Sequence, residues 1–275
     1  MSEIKHKKVR LRDISISYLL SDSGEEEAAA TIVFIHGFPF NKNTWMPQLQ
    51  DLPDQVRGIA YDVRGHGNST TGHGYFSMDV FAKDLLAFID WLDMGSVVVC
   101  GVSMGGYIAL RAHELDPQKF KGLILCDTHS FDDTNEGKIK RFATIDSVLK
   151  NGKRTFAIGF AKNVLSEKTR SNKKEVSDLI KSSIRRNNER NICATLLALA
   201  SRTDTTHTLT QIQVPVLLLR GEEDHIVSRE QMKKMEELIP DVRYQEFSLC
   251  GHLPNLENET RFNGEIRNFF ISKIM

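Results

Sequence analysis

The sequence predicts an α/β fold: a mostly parallel eight-stranded sheet, helices on both faces, and a helical segment inserted late in the chain. Three observations predict it. Short, wholly apolar runs recur along the chain. Helix-like stretches separate most of them. One long polar stretch, 130–212, interrupts this rhythm with no strand of its own. Short apolar runs suit strands buried on both faces. Strands alternating with helices favour parallel pairing through right-handed crossovers.

Taken in order, Lys8–Ile16 and Ile16–Leu20 alternate and read as two strands. The densest basic stretch, Lys5 to Arg12, reads as a solvated sheet edge. Ser21–Glu27 is polar, carries a glycine and reads as a loop. Buried strands follow at Thr31–His36, Arg57–Asp62, Ser96–Gly101, Gly122–Asp127 and Val214–Arg220, with a weaker one at Val242–Ser248. Around Met78–Trp91, Val80, Phe81, Leu85, Phe88, Ile89 and Leu92 make one apolar helical stripe. Met104–Leu115, Arg229–Leu238 and Glu259–Ile274 also read as helices. Within 130–212 the helix-like patches are Lys138–Leu149, Arg154–Asn163, Lys173–Arg185 and Arg190–Ala200. Strands resume after them, so the division is a core of 1–129 and 213–275 carrying a helical cap of 130–212. No internal repeat or low-complexity tract is present.

The 275 residues carry 36 Lys+Arg against 36 Asp+Glu. That balance argues against a partner held through phosphates, so no nucleic acid is expected. No apolar run approaches the ~18 residues of a membrane span, and none is expected. The N-terminus lacks the apolar centre of a secretory signal. The 4 cysteines are far apart and form no Cys-x-x-Cys pair. A reduced, cytoplasmic protein follows, monomer or homodimer.

Chemistry concentrates at Gly101-Val102-Ser103-Met104-Gly105-Gly106, a Gly-x-Ser-x-Gly turn between an apolar strand and a helix. Such a turn is too tight for side chains two residues either side of the serine. It projects Ser103 into a cleft and puts the Met104 amide at a helix N-terminus, where an oxyanion is favoured. A serine hydroxyl needs a base. In this architecture the order is nucleophile, acid, histidine. Of 9 histidines, His252 lies in the loop after the last strand and is the expected base. The acid that orients it is expected at Asp224, with Asp127 as the other candidate. Glu222 and Glu223 read as solvated. His36 and His66 read as shaping tight loops; His6, His73, His113, His129, His207 and His225 read as surface or cap positions. The second oxyanion donor is expected at the Phe38 amide, because Pro39 has none. Gly37, Phe40 and Val102 flank these groups and are expected at the substrate pocket.

These residues resemble the α/β-hydrolase superfamily along nearly the whole chain. The resemblance is carried by His36-Gly37-Phe38, Asp62-Val-Arg64-Gly65-His66-Gly67-Asn68-Ser69, the Ser103 turn, Gly221-Glu-Glu-Asp224 and Gly251-His252. The Asp-x-Arg-Gly-His-Gly block and the Ser turn are similar to carboxylesterases, 3-oxoadipate enol-lactonases and bromoperoxidase-like members. Dehalogenases and epoxide hydrolases of this fold use an aspartate where Ser103 stands. The resemblance implies a Ser-His-Asp triad.

The expected activity is hydrolysis of small to medium carboxylic esters, with lactones or thioesters as variants, by Ser103, His252 and Asp224. It calls for a small-molecule substrate and for no metal or organic cofactor. Two other readings are carbon–carbon bond hydrolysis of a vinylogous diketone and a non-catalytic ligand-binding protein that kept the pocket.

Overall fold

A computed structural model describes residues 3–22 and 28–275. In chain order the strands are β1 (Glu3–Leu11), β2 (Ile14–Asp22), β3 (Ala30–Ile35), β4 (Val56–Tyr61), β5 (Val97–Val102), β6 (Phe120–Cys126), β7 (Val216–Gly221) and β8 (Val242–Phe247). They form one eight-stranded sheet in the order β1-β2-β4-β3-β5-β6-β7-β8. β1 with β2 and β2 with β4 run antiparallel; every other pair is parallel. All residues of β3, β5 and β7 are buried, so both faces of the sheet centre are covered.

The helices are α1 (Met46–Leu49), α2 (Met78–Leu92), α3 (Met104–Leu115), α4 (Asn135–Val164), α5 (Glu167–Asn172), α6 (Lys174–Arg186), α7 (Glu189–Ala200), α8 (Arg229–Leu238), α9 (Pro254–Glu257) and α10 (Glu259–Phe269). Local chemistry sets their ends. Ser77 caps α2 by accepting from the Val80 N–H, and Asp93 closes it in a left-handed conformation. Ser228 and Gln231 form a reciprocal capping box on α8. Between β6 and β7 the chain makes helices only. No helix among the described residues is long and apolar enough to cross a membrane.

Some expectations need correction. The two initial strands are not 8–16 and 16–20: the chain turns at Arg12–Asp13, with Arg12 at φ 50. The signal was a change of phase. Apolar positions are odd at Val9 and Leu11 and even at Ile14, Ile16 and Tyr18. The two patches at 138–149 and 154–163 do fall on separate helical halves of α4, which is broken at Gly152, whose φ of 76 leaves the helical region. Helix α5 was not foreseen; Ser166 caps it. Of the expected loop at 21–27, Ser21 and Asp22 end β2, and the remainder lies outside the described residues. The basic stretch does lie on β1, at the edge of the sheet, with Lys5, Lys7 and Lys8 exposed.

The Asp-x-Arg-Gly-His-Gly block is a structural pin. Asp62 is fully buried. It accepts from the Lys42 backbone at 2.8 Å, from Lys42 Nζ at 2.6 Å and from the Asn68 N–H at 2.8 Å. A Cβ on Gly67 would sit 2.4 Å from this carboxylate. Arg64 forks between Asp84 on α2 and Asp13 in the β1–β2 turn. A fully buried ion pair is costly to break because the surviving charge has no solvent. Asp62→Ala is therefore expected to cost about 3–5 kcal/mol in urea unfolding. A loss below about 1 kcal/mol, the value of an exposed pair, would contradict this account.

Candidate active site

Ser103 joins β5 to α3 at φ 54, ψ −116, a conformation that non-glycine residues rarely hold. Backbone contacts hold it there. Its N–H donates to the Cys126 carbonyl at 2.9 Å. Its own carbonyl accepts from Gly106 at 2.9 Å, Tyr107 at 3.2 Å and the Thr128 hydroxyl at 2.9 Å. The glycines are steric necessities. A Cβ on Gly101 would lie 2.3 Å from the Gly105 carbonyl oxygen, and one on Gly105 2.2 Å from that of Ile35. The first turn of α3 thus rests directly on the ends of β3 and β5.

His252 follows β8, and its backbone N–H donates to the Val164 carbonyl at 2.8 Å. Its ring Nδ1 lies 2.8 Å from Asp224 Oδ2. The other Asp224 oxygen accepts from the Ile226 N–H at 2.8 Å. Burial alone would push the Asp224 carboxyl up. The charge and hydrogen bond of His252, with the Ile226 amide, bring it below the usual range. Both side chains are buried. Glu257 steadies the loop: one oxygen accepts from Gly251 at 2.9 Å and Leu253 at 3.2 Å, the other from Ser166 at 2.8 Å. No sequence pattern had singled out Glu257.

Asp127, the other candidate acid, is also fully buried. Its Oδ1 accepts from the Gly221 N–H at 2.9 Å, and its Oδ2 has no hydrogen-bond partner among the described residues. Burial, and then the charge of Asp224, push this carboxyl well up, so Asp127 is the neutral member of the pair. The His252 hydrogen bond belongs to Asp224. One ligand atom each from Asp127, Asp224 and His252 lies within 4.8 Å of the others. Among the described residues this is the group that could grip a metal ion, but its imidazole and one carboxylate already bond to each other.

Ser103, Met104, Phe38 and His252 line one cavity of about 560 Å³. Asp224 stands behind His252. Gly37, Phe40 and Val102 are not among the lining residues, contrary to expectation. Phe40 is wholly buried against Phe160, at 5.9 Å between ring centres. A Cβ on Gly37 would meet the Val102 carbonyl at 3.2 Å and the Ser103 Cβ at 3.3 Å. These three residues back the cavity wall.

The polar part of the remaining lining was not foreseen. His129, just before the 130–212 insertion, Asp133 and Arg141, from its start, and Arg202, from its end, join Tyr107 on α3. Their contacts run between segments remote in sequence, which periodicity does not report. His129 and His113 are buried, not surface residues; His113 packs on Phe120 at 5.2 Å. His36 and His66 are buried as well. Burial pushes them down to about 4 and about 3, so both are neutral loop-shaping groups. His36 accepts from the Val63 N–H through Nε2 and bonds the Gly37 carbonyl through Nδ1.

A family model described as the alpha/beta hydrolase fold matches residues 30–259. The chain belongs to the α/β hydrolase fold family. A solved thermophilic esterase from Thermogutta terrifontis superposes on this α/β hydrolase with a TM-score of 0.89, at 29% identity over 97% of this chain and 98% of that one. A non-heme chloroperoxidase of Kitasatospora aureofaciens is 45% identical over 76 residues, 27% of this chain and 28% of that protein. A 3-oxoadipate enol-lactonase of Acinetobacter baylyi is 28% identical over 117 residues, 42% of this chain and 43% of that protein. The matches to these two curated relatives span less than half of their length.

The buried carboxyl of Asp127 generates a pH prediction. Its value in the folded protein lies above the ordinary 3.8. As pH rises past 3.8 the unfolded carboxyl ionises and the folded one does not, so the group lowers stability progressively. Asp127→Asn keeps an oxygen for Gly221 and is neutral at every pH. It is expected to flatten the fall of Tm as pH rises above 3.8. An unchanged slope would mean that the native carboxyl is ionised.

Proposed function

We propose that this α/β hydrolase is a serine hydrolase of carboxylic esters with small to medium acyl groups, lactones and thioesters lying within the same chemistry. The observation that carries it is one cavity bounded by both Ser103 and His252, with the far nitrogen of His252 held by Asp224. Nδ1–H donates to the Asp224 carboxylate, leaving the Nε2 lone pair as the base. His252 takes the proton as the Ser103 oxygen attacks the carbonyl carbon. The tetrahedral oxyanion is received by the amides of Phe38 and Met104. His252 then protonates the leaving alcohol, and the acyl group stays on Ser103. A water, deprotonated by His252, attacks that acyl-enzyme and releases the acid.

The helices of 130–212 act as the cap. Lys140, Arg141 and Phe160 of α4 and Leu196 and Leu199 of α7 line the cavity. Its volume of about 560 Å³ suits a small molecule, not a long lipid chain. The esterase and enol-lactonase names of similar proteins support the ester reading.

Turnover of p-nitrophenyl butyrate tests it. Ser103→Ala is expected to lose about 10⁴- to 10⁶-fold in kcat, and Asp224→Asn about 10⁴-fold with the fold intact. A Ser103→Ala rate equal to wild type would remove the serine from the chemistry. A series of longer acyl chains is expected to lose kcat/KM beyond medium length, and a preference for emulsified triglyceride would reverse the size assignment.

A further inference from the structure

One wall of the same cavity carries polar chemistry that ester cleavage does not use. Arg202 follows α7, and its side chain is 3% exposed. Nε donates to the Phe131 carbonyl at 3.0 Å. Nη1 donates to Asp133 at 2.5 Å and to the Leu199 carbonyl at 3.0 Å. Nη2 has one neighbour, His129 Nε2, at 3.5 Å. The tautomer of His129 decides whether that neighbour can accept.

Three contacts assign it. The Phe131 N–H donates to His129 Nδ1 at 3.2 Å, so that lone pair is in use. Burial, reinforced by the Arg202 charge, pushes the imidazole down to about 3, so the ring is neutral and holds one proton. That proton is therefore on Nε2, where it donates to the Tyr107 hydroxyl at 3.1 Å. A ring N–H cannot accept from Arg202. Nη2 is left with no acceptor among the described residues. The Tyr107 oxygen accepts from His129, and burial pushes this phenol up, so its own proton is free to donate. The Arg202 guanidinium lies over the Tyr107 ring, 4.4 Å from its centre, so the two donors are adjacent.

The charges around them do not cancel. Arg202 and Arg141 share a single carboxylate, Asp133, at 2.5 Å each. Two cations on one anion leave one positive charge in the wall. Asp132, Glu136 and Lys140 also line the cavity, but all three are exposed and screened by solvent. A buried, unpaired donor beside a surplus cation favours an anion of planar geometry.

We propose that Arg202 Nη2 and the Tyr107 hydroxyl bind a carboxylate on the substrate, so that the natural ester or lactone carries a free carboxylate remote from the bond cleaved at Ser103. This inference rests on the ester-hydrolase reading and names its substrate class. His129 is a positioning residue: it turns the Tyr107 proton toward the cavity.

The test compares monomethyl glutarate with dimethyl glutarate, which differ by that one charge. Wild type is expected to favour the half-ester in kcat/KM by about 10- to 100-fold, the range for a hydrogen bond to a charged group. Tyr107→Phe, which keeps the ring, is expected to cut the half-ester/diester ratio about tenfold, chiefly through KM. The ratio is the readout, so a general loss of activity cancels. Arg202→Lys keeps a charge for Asp133 and is expected to lower the same ratio. A wild type that treats both esters alike, or a Tyr107→Phe ratio equal to wild type, would overturn the proposal. A second measurement needs no turnover. Glutarate is expected to raise the Tm of Ser103→Ala, pentanamide is not, and Tyr107→Phe is expected to abolish the rise. If no ester is cleaved but that rise is seen, the ester reading fails and the carboxylate site stands. If glutarate gives no rise while esters are cleaved, the carboxylate site fails alone.

Discussion

The site depends on one close approach of backbone to backbone. The first turn of α3 sits on β3 and β5 with no room for a side chain at Gly101 or Gly105. That contact leaves the residue between strand and helix a single path, and Ser103 takes it with φ at 54. The strain is repaid by bonds from its carbonyl to Gly106, Tyr107 and Thr128 and from its amide to Cys126. The same helix start aims the Met104 amide and the Tyr107 side chain at the cavity. The proposed nucleophile, oxyanion donor and substrate-facing hydroxyl thus all follow from one packing constraint.

Around that turn, buried polar groups follow one rule: pair a charge or remove it. Asp62 has Lys42, Arg64 has Asp13 and Asp84, and Asp224 has His252. His36, His66 and His129 have no carboxylate partner at hydrogen-bond distance, and each is held neutral by burial. Asp127, next to an ionised carboxylate, is held neutral too. One exception is the wall where Arg141 and Arg202 share Asp133; another is Glu257, held by three backbone amides. The helical insertion is tied to the core by similar directness. Asn187 bridges the Gly67 N–H and the Pro39 carbonyl, Asn191 reaches the Gly65 carbonyl, and Val164 accepts from His252. Two of these bonds end on the loop that also carries Asp62 and Arg64, so insertion and core share their anchor.

Much of the fold was legible because its signals are local. Thr31–His36, Ser96–Gly101 and Gly122–Asp127 are apolar on both faces, and buried parallel strands need that. Met78–Trp91 shows a helical stripe and a serine cap. The first hairpin was misdrawn because alternation was followed without its phase: the shift between Leu11 and Ile14 marked the turn. Gly152 was a visible breaker, and the helix-like patches read on either side of it match the two halves of α4. Ser103, His252 and Asp224 were picked out by loop positions at strand ends, and the structure puts Ser103 and His252 on one cavity with Asp224 against His252. Phe40 and Val102 were misplaced because an apolar residue beside a nucleophile reads the same whether it faces the cavity or the core.

The sequence by itself determined the order of strands and helices, the Ser103 turn and the residue types available for acid–base chemistry. Each of these follows from hydrophobic period, glycine placement and side-chain chemistry within a few neighbours. Tertiary structure alone decided which of Asp127 and Asp224 meets His252, that Asp127 is the neutral one, and that Arg202 and Tyr107 face the cavity together. Those outcomes turn on burial and on distances between segments as far apart as 107 and 202. A charge or a tautomer is set by the atoms around it, and they are gathered only when the chain folds.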